Sequence, residues 1–144
     1  MNVQSILAHK GRDVATIAQT ATLDEAVARL AELRIGALVV SGDGRAINGI
    51  VSERDIVCRM AHGANAALAA PVGSVMSTDV VTCTASDGVD RLMELMTERR
   101  IRHLPVVDEG GQLAGIISIG DVVKARLAEL ELENRALADY ISGR

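Results

Sequence analysis

Two seven-residue phrases in this chain carry the same chemistry. They are Gly-Ile-Val-Ser-Glu-Arg-Asp at 49–55 and Gly-Ile-Ile-Ser-Ile-Gly-Asp at 115–121. Each places a serine three residues before an aspartate, Ser52 before Asp55 and Ser118 before Asp121. At the start of a helix this spacing is typical of a capping box. The same groups suit a ligand, because a helix N-terminus attracts phosphate and a carboxylate accepts hydrogen bonds from hydroxyl groups. Spacing alone leaves both interpretations open, and they are compatible.

The two phrases belong to a longer internal repeat. A shift of 66 residues pairs 13–57 with 79–123 without a gap, and 15 of the 45 pairs are identical. Among the identical pairs are Arg34 with Arg100 and Ile35 with Ile101. Random pairing yields only a few identities, so the chain is a tandem duplication.

Each copy contains the same succession of element signals. The β-branched residues of 13–17 and 79–83 predict strands, and apolar residues at helical spacing predict amphipathic helices over 20–34 and 86–100. Two apolar strands around a glycine-rich turn follow, and a second helix begins at the serine. The predicted order is β-α-β-β-α, twice, in a mixed α/β (α+β) fold. One copy of about 50 residues cannot bury both faces of its sheet, so we expect the copies to pack about a pseudo-two-fold axis.

The predicted boundaries follow the repeat. The first unit with its lead-in helix covers 1–62, a linker 63–71, the second unit 72–127, and a C-terminal helix extension 128–144. Short lead-in helices are predicted at 3–7 and 72–76, because the sequences VQSIL and VGSVM are similar.

Composition excludes several classes of protein. Of the 144 residues, 49% are apolar and 24% are charged, as in a globular chain, and the net charge of −4 argues against a nucleic-acid binder. No apolar run spans a bilayer and no signal peptide is visible, so a cytoplasmic protein with no membrane partner is expected. Cys58 and His62 stand four residues apart, but two ligands do not make a metal site, and none is predicted. With no Phe or Trp, any bound ring must lie between aliphatic side chains.

The stretches RIGALVVSGDGRAINGIVSERDIV (34–57) and RIRHLPVVDEGGQLAGIISIGDVV (100–123) give the chain a specific family resemblance. A duplicated unit that ends in Gly, two aliphatic residues, Ser, two variable residues and Asp resembles the CBS domain, named from cystathionine β-synthase and found in tandem pairs. The resemblance covers residues 1–127. It implies a free-standing CBS pair of the bacterial type, a non-catalytic sensor of adenosine-containing ligands such as AMP, ADP, ATP, NAD(H) or S-adenosylmethionine.

The resemblance also implies roles for particular residues. Carried over to this sequence, Asp55 and Asp121 hold ribose hydroxyls, and Ser52 and Ser118 face the phosphate. The adenine pocket is formed by the residues of the first strand of each copy, namely Thr16, Ile17, Thr82 and Cys83. For these four, an ordinary core or strand-end role is an equally open interpretation.

Basic residues near the second strand complete the predicted site. Arg102 matches the family's phosphate-contacting position, with His103 beside it, although a solvated helix end is an open alternative for Arg102 and a structural role for His103. The first copy has Gly36 and Ala37 at these positions. The two clefts are therefore expected to differ, with Arg54, and further Lys10 and Arg12, as candidate replacements for the missing base.

The C-terminal segment carries a heptad-like pattern. Its members are spaced by four and three residues: Val123, Leu127, Leu130, Asn134, Leu137 and Ile141. Such a seam with one polar member predicts self-association, although packing against the chain's own domain gives a similar pattern. A homodimer and an unidentified protein effector are the expected partners. Alternatives to the sensor are an interaction module with empty clefts and a nucleotide hydrolase, for which no Walker, zincin or nucleophile-elbow motif is present.

Overall fold

The fold repeats one arrangement of strands and helices twice. A computed structural model describes residues 1–143. The first copy contains α1 (Val3–Lys10), β1 (Thr16–Ile17), α2 (Leu23–Leu33), β2 (Ala37–Val40), β3 (Gly49–Ser52) and α3 (Glu53–Met60). Next come α4 (Ala64–Ala69) and a 3-10 turn (Val72–Ser74). The second copy contains β4 (Cys83–Thr84), α5 (Val89–Arg99), β5 (His103–Val107), β6 (Leu113–Ser118) and α6 (Ile119–Ile141).

Each copy forms its own three-stranded sheet. The strand orders are β1-β2-β3 and β4-β5-β6. In both sheets the first pair is parallel and the second pair is an antiparallel hairpin. The register brings the serine of each phrase opposite the start of the preceding strand, Ser52 opposite Ala37 and Ser118 opposite His103. The predicted fold class and the β-α-β-β-α order are confirmed.

The first long helix of each copy ends on an arginine in the left-handed conformation. Arg34 has φ 55° after α2, and Arg100 has φ 53° after α5. Glycine normally occupies such positions, because a Cβ costs roughly 1–2 kcal/mol there. The two copies retain arginine at a strained position, and both arginines line clefts described below.

Each lead-in segment packs against the copy that it does not precede, so the two segments are exchanged between the copies. Helix α1 precedes the first copy, but its buried residues Val3, Ile6 and Leu7 belong to the hydrophobic core of the second. Val72 of the 3-10 turn precedes the second copy and lies in the core of the first. The sequence grouped α1 with the first unit at 1–62; its packing is with the second.

The glycines of the two phrases permit this exchange. A Cβ added at Gly115 would lie 2.8 Å from Cδ2 of Leu7, and one at Gly49 would lie 2.7 Å from Sδ of Met76. A side chain at either strand position would displace the incoming lead-in segment.

Two segments differ from their predicted form. Residues 64–69 of the predicted linker form the helix α4, and the second lead-in is a 3-10 turn of three residues rather than a counterpart of α1. Within residues 1–143, no helix combines the length and the apolar character that a membrane span requires.

Candidate functional site

Both seven-residue phrases form capping boxes. Ser52 caps α3: its backbone N–H donates to Oδ2 of Asp55 at 2.9 Å, and its hydroxyl accepts from the Asp55 N–H at 3.3 Å. Ser118 and Asp121 repeat this arrangement at the start of α6, at 2.9 and 3.2 Å. The capping interpretation of the spacing is therefore confirmed.

The cap uses only one oxygen of each carboxylate. Each serine hydroxyl also donates to Oδ2 of its aspartate, at 3.0 Å in both copies. Among the side-chain hydrogen bonds of residues 1–143, none involves Oδ1 of Asp55 or Asp121. An ionised carboxylate has about four acceptor sites, so Oδ1 can accept from the hydroxyls of a ligand while the cap stays formed.

The Asp55 carboxylate borders a cleft between the two copies. Its volume is about 630 Å³, which is within the range of small-ligand sites. The first copy contributes Gly36 and Ala37 at the start of β2 and the end of β3. The second copy contributes the segment before β4, the junction between α5 and β5, and the start of α6. The apolar lining residues are Ile50 from the first copy and, from the second, Val80, Val81, Met96, Ile101 and Ile119. These side chains supply the non-aromatic walls that the composition requires.

Three guanidinium groups line the same cleft. Arg54 comes from the first copy, and Arg100 and Arg102 come from the second. All three residues are exposed, and no ion pair found within residues 1–143 involves them. An arginine fork with free donors suits a phosphate group.

Arg102 belongs to the second copy but lines the cleft that contains Asp55 of the first copy. The first cleft is therefore rich in positive charge, although the first copy has the uncharged Gly36 at the repeat position of Arg102. A Cβ at residue 36 would lie 2.9 Å from Oε1 of Glu53 and 3.0 Å from Cε1 of His103, so a larger residue there requires these two side chains to move.

His103 lies between the two clefts and lines both. Its burial, with the neighbouring Arg102 charge, lowers the pKa of the ring below its usual value.

The second cleft is also about 630 Å³ in volume and contains Ser118. Six of its other lining residues come from the same repeat positions as in the first cleft: Asp13, Val14, Ala15, Arg34, Ile35 and Ile116. It differs at Arg29 and Leu33, which have no counterpart in the first cleft, and at Lys10, whose Nζ lies 2.6 Å from Oδ2 of Asp121. Burial alone would raise the pKa of Asp121, but the hydrogen bonds from Lys10 and Ser118 outweigh it and lower the pKa below 3.8.

The four residues predicted for the adenine pocket are not among the lining residues of the two clefts. Ile17 and Cys83 are buried in the cores of their copies, and neither they nor Thr16 and Thr82 line a cleft. Burial, with a contribution from Asp87, raises the pKa of the Cys83 thiol to about 12, so it is an inert core residue. The cleft walls are instead formed by residues a few positions earlier, 79–81 and 13–15. An adenine contact for these four stays a prediction that the packing does not favour.

Sequence reasoning missed two groups of cleft residues. Arg34 and Arg100 were not among the predicted site residues, although their identity across the repeat was a usable signal. Lys10 was a candidate for the first cleft, and it lies in the second. No sequence signal gave this position, because it follows from the exchange of lead-in segments. In the described part of the chain, no cluster of three His, Cys, Asp or Glu side chains is placed to hold a metal.

Comparison with known proteins agrees with this arrangement. The CBS domain family matches residues 6–62 and 72–128. The chain belongs to the CBS-domain family. A mitochondrial CBS domain-containing protein of Arabidopsis thaliana is 37% identical over 126 residues, which are 85% of this chain and 61% of that protein. The chain thus spans less than two thirds of this relative.

Solved structures show the same pair architecture. The crystal structure of a CBS-domain containing protein from Agrobacterium tumefaciens superposes with a TM-score of 0.83 at 46% identity, covering 87% of this chain and 92% of that one. A CBS domain protein from Pyrobaculum aerophilum, complexed with AMP, superposes with a TM-score of 0.79 at 29% identity, covering 93% and 99%.

Proposed function

We propose that this CBS pair is a non-catalytic regulatory module that binds an adenosine nucleotide, AMP in the first instance, in the Asp55 cleft. One observation carries the proposal: the open Oδ1 of a capped carboxylate and three guanidinium groups line one aliphatic-walled cleft. Asp55 accepts the ribose hydroxyls, and the guanidinium groups bind the phosphate. The AMP complex of the Pyrobaculum relative supports the ligand class.

The ligand connects groups from both copies. Ribose contacts Asp55 at the start of α3 in the first copy, whereas phosphate contacts Arg100 and Arg102 of the second. A nucleotide therefore stabilises arrangements in which these groups are close together. It shifts the relative packing of the copies by as much as its affinity differs between the arrangements. A protein effector that recognises one arrangement detects the nucleotide.

Calorimetric titration tests the ligand assignment. AMP, ATP, NADH and S-adenosylmethionine are titrated separately into the full chain and into Asp55→Ala. Saturable binding of AMP that Asp55→Ala weakens at least tenfold supports the proposal. Absence of binding by all four ligands contradicts it and favours the interaction module. A parallel assay for phosphate release from ATP tests the hydrolase alternative.

A homodimer through α6 is the second part of the proposal. Five of the six predicted seam positions carry apolar side chains, and all five are exposed in the single chain: Val123 46%, Leu127 57%, Leu130 40%, Leu137 59% and Ile141 81%. Asn134 at the remaining position is suited to fix the register of a paired helix. A second copy of α6 is the natural occupant, because it supplies the matching seven-residue repeat.

Light scattering on two variants tests the dimer. Leu127→Glu places a charge in the seam and is expected to give a monomer at micromolar concentration. Leu132 is 60% exposed and lies outside the seam, so Leu132→Glu is the matched control and leaves the dimer intact. Equal behaviour of the two variants would contradict pairing through this seam.

A further inference from the structure

The two clefts differ in how the lead-in segment contacts the returning strand. Leu7 of the first lead-in and Met76 of the second are counterparts, because each packs on the glycine of a phrase, Leu7 on Gly115 and Met76 on Gly49. Met76 packs on Gly49, and the adjacent backbone of Ser77 pairs with Ile50 through N–H to O distances of 3.0 and 2.9 Å. The lead-in thus joins β3 through its main chain.

Lys10 replaces this main-chain contact with its ammonium group. Its Nζ donates to the carbonyl oxygen of Ile116 at 3.0 Å, and Ile116 is the counterpart of Ile50. The same Nζ donates to Oδ2 of Asp121 at 2.6 Å. That oxygen already accepts the N–H and the hydroxyl of Ser118, so it has three donors.

The lysine is supplied by an anchored element. Helix α1 ends at Lys10, and its residues Val3, Ile6 and Leu7 are buried in the second core. The ammonium group is therefore tethered beside Asp121 and does not have to be recruited from solvent. The pair is only partly exposed, at 30% for the lysine and 22% for the aspartate side chain. Asp55 has no corresponding cation among its side-chain partners within residues 1–143.

We infer that Lys10 closes the second cleft to a nucleotide by neutralising the carboxylate that would hold the ribose, so that each chain binds one nucleotide, in the Asp55 cleft. This inference rests on the proposed function. Oδ1 of Asp121 makes no side-chain hydrogen bond within residues 1–143, but the ammonium group that α1 keeps at Oδ2 offsets the negative charge of the whole carboxylate. Ribose hydroxyls would therefore meet a weaker acceptor here than at Asp55, because hydrogen bonds gain strength from an ionised acceptor.

The binding stoichiometry of AMP tests the inference. The wild-type chain is expected to bind one equivalent per chain by calorimetry. Lys10→Met removes the ammonium group and keeps an unbranched side chain, and this variant is expected to bind two, with the second site at least 100-fold tighter than in the wild type. Lys124→Met removes the other lysine of the chain, on the exposed face of α6, and is the matched control with one equivalent.

A double variant separates this inference from the proposed function. Asp55→Ala with Lys10→Met is expected to bind one equivalent, in the second cleft. If the wild type binds AMP and Lys10→Met still binds one equivalent, the inference is wrong and the proposed function stands. If the wild type does not bind and the double variant binds one equivalent, the proposed Asp55 site is wrong, and only the closure of the second cleft by Lys10 stands. Binding by none of them overturns both.

Acetylation of lysine gives a readout that needs no variant. With acetic anhydride in limiting amount, Lys10 is expected to react at least tenfold more slowly than Lys124, both with and without AMP. An AMP-dependent rise in the reactivity of Lys10 would show that the nucleotide displaces it from Asp121, and the inference would be wrong. Thermal unfolding by circular dichroism checks the fold of each variant, and Lys10→Gln replaces Lys10→Met if the latter is unfolded.

Discussion

Replacing Asp55 with asparagine separates the two roles of its carboxylate. The asparagine oxygen can still accept the Ser52 N–H, which donates to Oδ2 of Asp55 at 2.9 Å in the structure. The amide NH₂ group then stands in place of the open Oδ1, and it cannot accept from a ribose hydroxyl. The variant keeps the cap of α3 and loses the ligand contact.

The structure sets the size of each effect. A hydrogen bond to a charged group contributes about 1.5–3 kcal/mol, so the loss of one such bond raises the Kd for AMP by about 10- to 100-fold. A full N-cap contributes about 1 kcal/mol, and loss of it lowers the Tm of a domain of this size by about 2–4 °C. Asp55→Asn is expected to lower the Tm by less than that amount, whereas Asp55→Ala loses the cap and the ligand together.

Calorimetry and thermal unfolding are measured on the same preparations. Asp121→Asn is the control: it removes the anionic partner of Lys10, lowers the Tm more than Asp55→Asn does, and leaves the first-site Kd for AMP within twofold. The reasoning is refuted if both asparagine variants weaken AMP binding equally, or if Asp55→Asn leaves the Kd unchanged.

Three further perturbations address charge in the clefts. Arg102→Ala is expected to weaken AMP binding about tenfold and to leave adenosine binding unchanged, because only AMP carries a phosphate. Arg99 lies outside the cleft lining, so Arg99→Ala is the control. An equal loss of adenosine binding in Arg102→Ala would argue against a phosphate contact. Burial lowers the pKa of His103, and a bound phosphate favours its protonation, so AMP affinity should rise as pH falls from 7.5 to 6. His103→Gln is expected to lose this pH dependence. Identical pH profiles of AMP affinity in the wild type and in His103→Gln would contradict a role for the ring. In the folded chain the pKa of Asp121 lies below its usual value. The ion pair with Lys10 therefore contributes its full stabilisation of the fold above about pH 5, and this contribution is lost as pH falls through the folded pKa. The Tm difference between wild type and Lys10→Met should therefore shrink from pH 6 to pH 3, and a constant difference would show that the ion pair adds no stability.

The sequence predicted the repeated elements because local signals determine them. The helical spacing of Leu23 and Leu30, the Gly-rich turns and the serine caps all act within a few residues. The capping boxes at Ser52 and Ser118 appear where the spacing indicated. The family resemblance then placed both phrases at clefts, which the structure shows for each.

The missed features depend on contacts between the copies. Nothing local to Val3 or Leu7 indicates that α1 packs against the second sheet, since an apolar helix face fits either core. The positions of Lys10 and Arg102 follow from that packing and from the sides on which the copies meet. The shift of the cleft wall from Thr82 to residues 79–81 has the same origin, because the short strand β4 begins at Cys83 and is already in the core.

The exchange of lead-in segments has a consequence for how such a chain can arise. A protein made of one copy would leave its core without the helix that another copy provides, and could complete it only as two chains that trade arms. Fusion of the two copies turns that trade into an intramolecular event at millimolar effective concentration. After fusion the two lead-in segments are encoded separately, so their sequences can diverge. Leu7 and Met76 illustrate the result: they pack on equivalent glycines of the two copies, yet they are two independently mutable residues in one molecule.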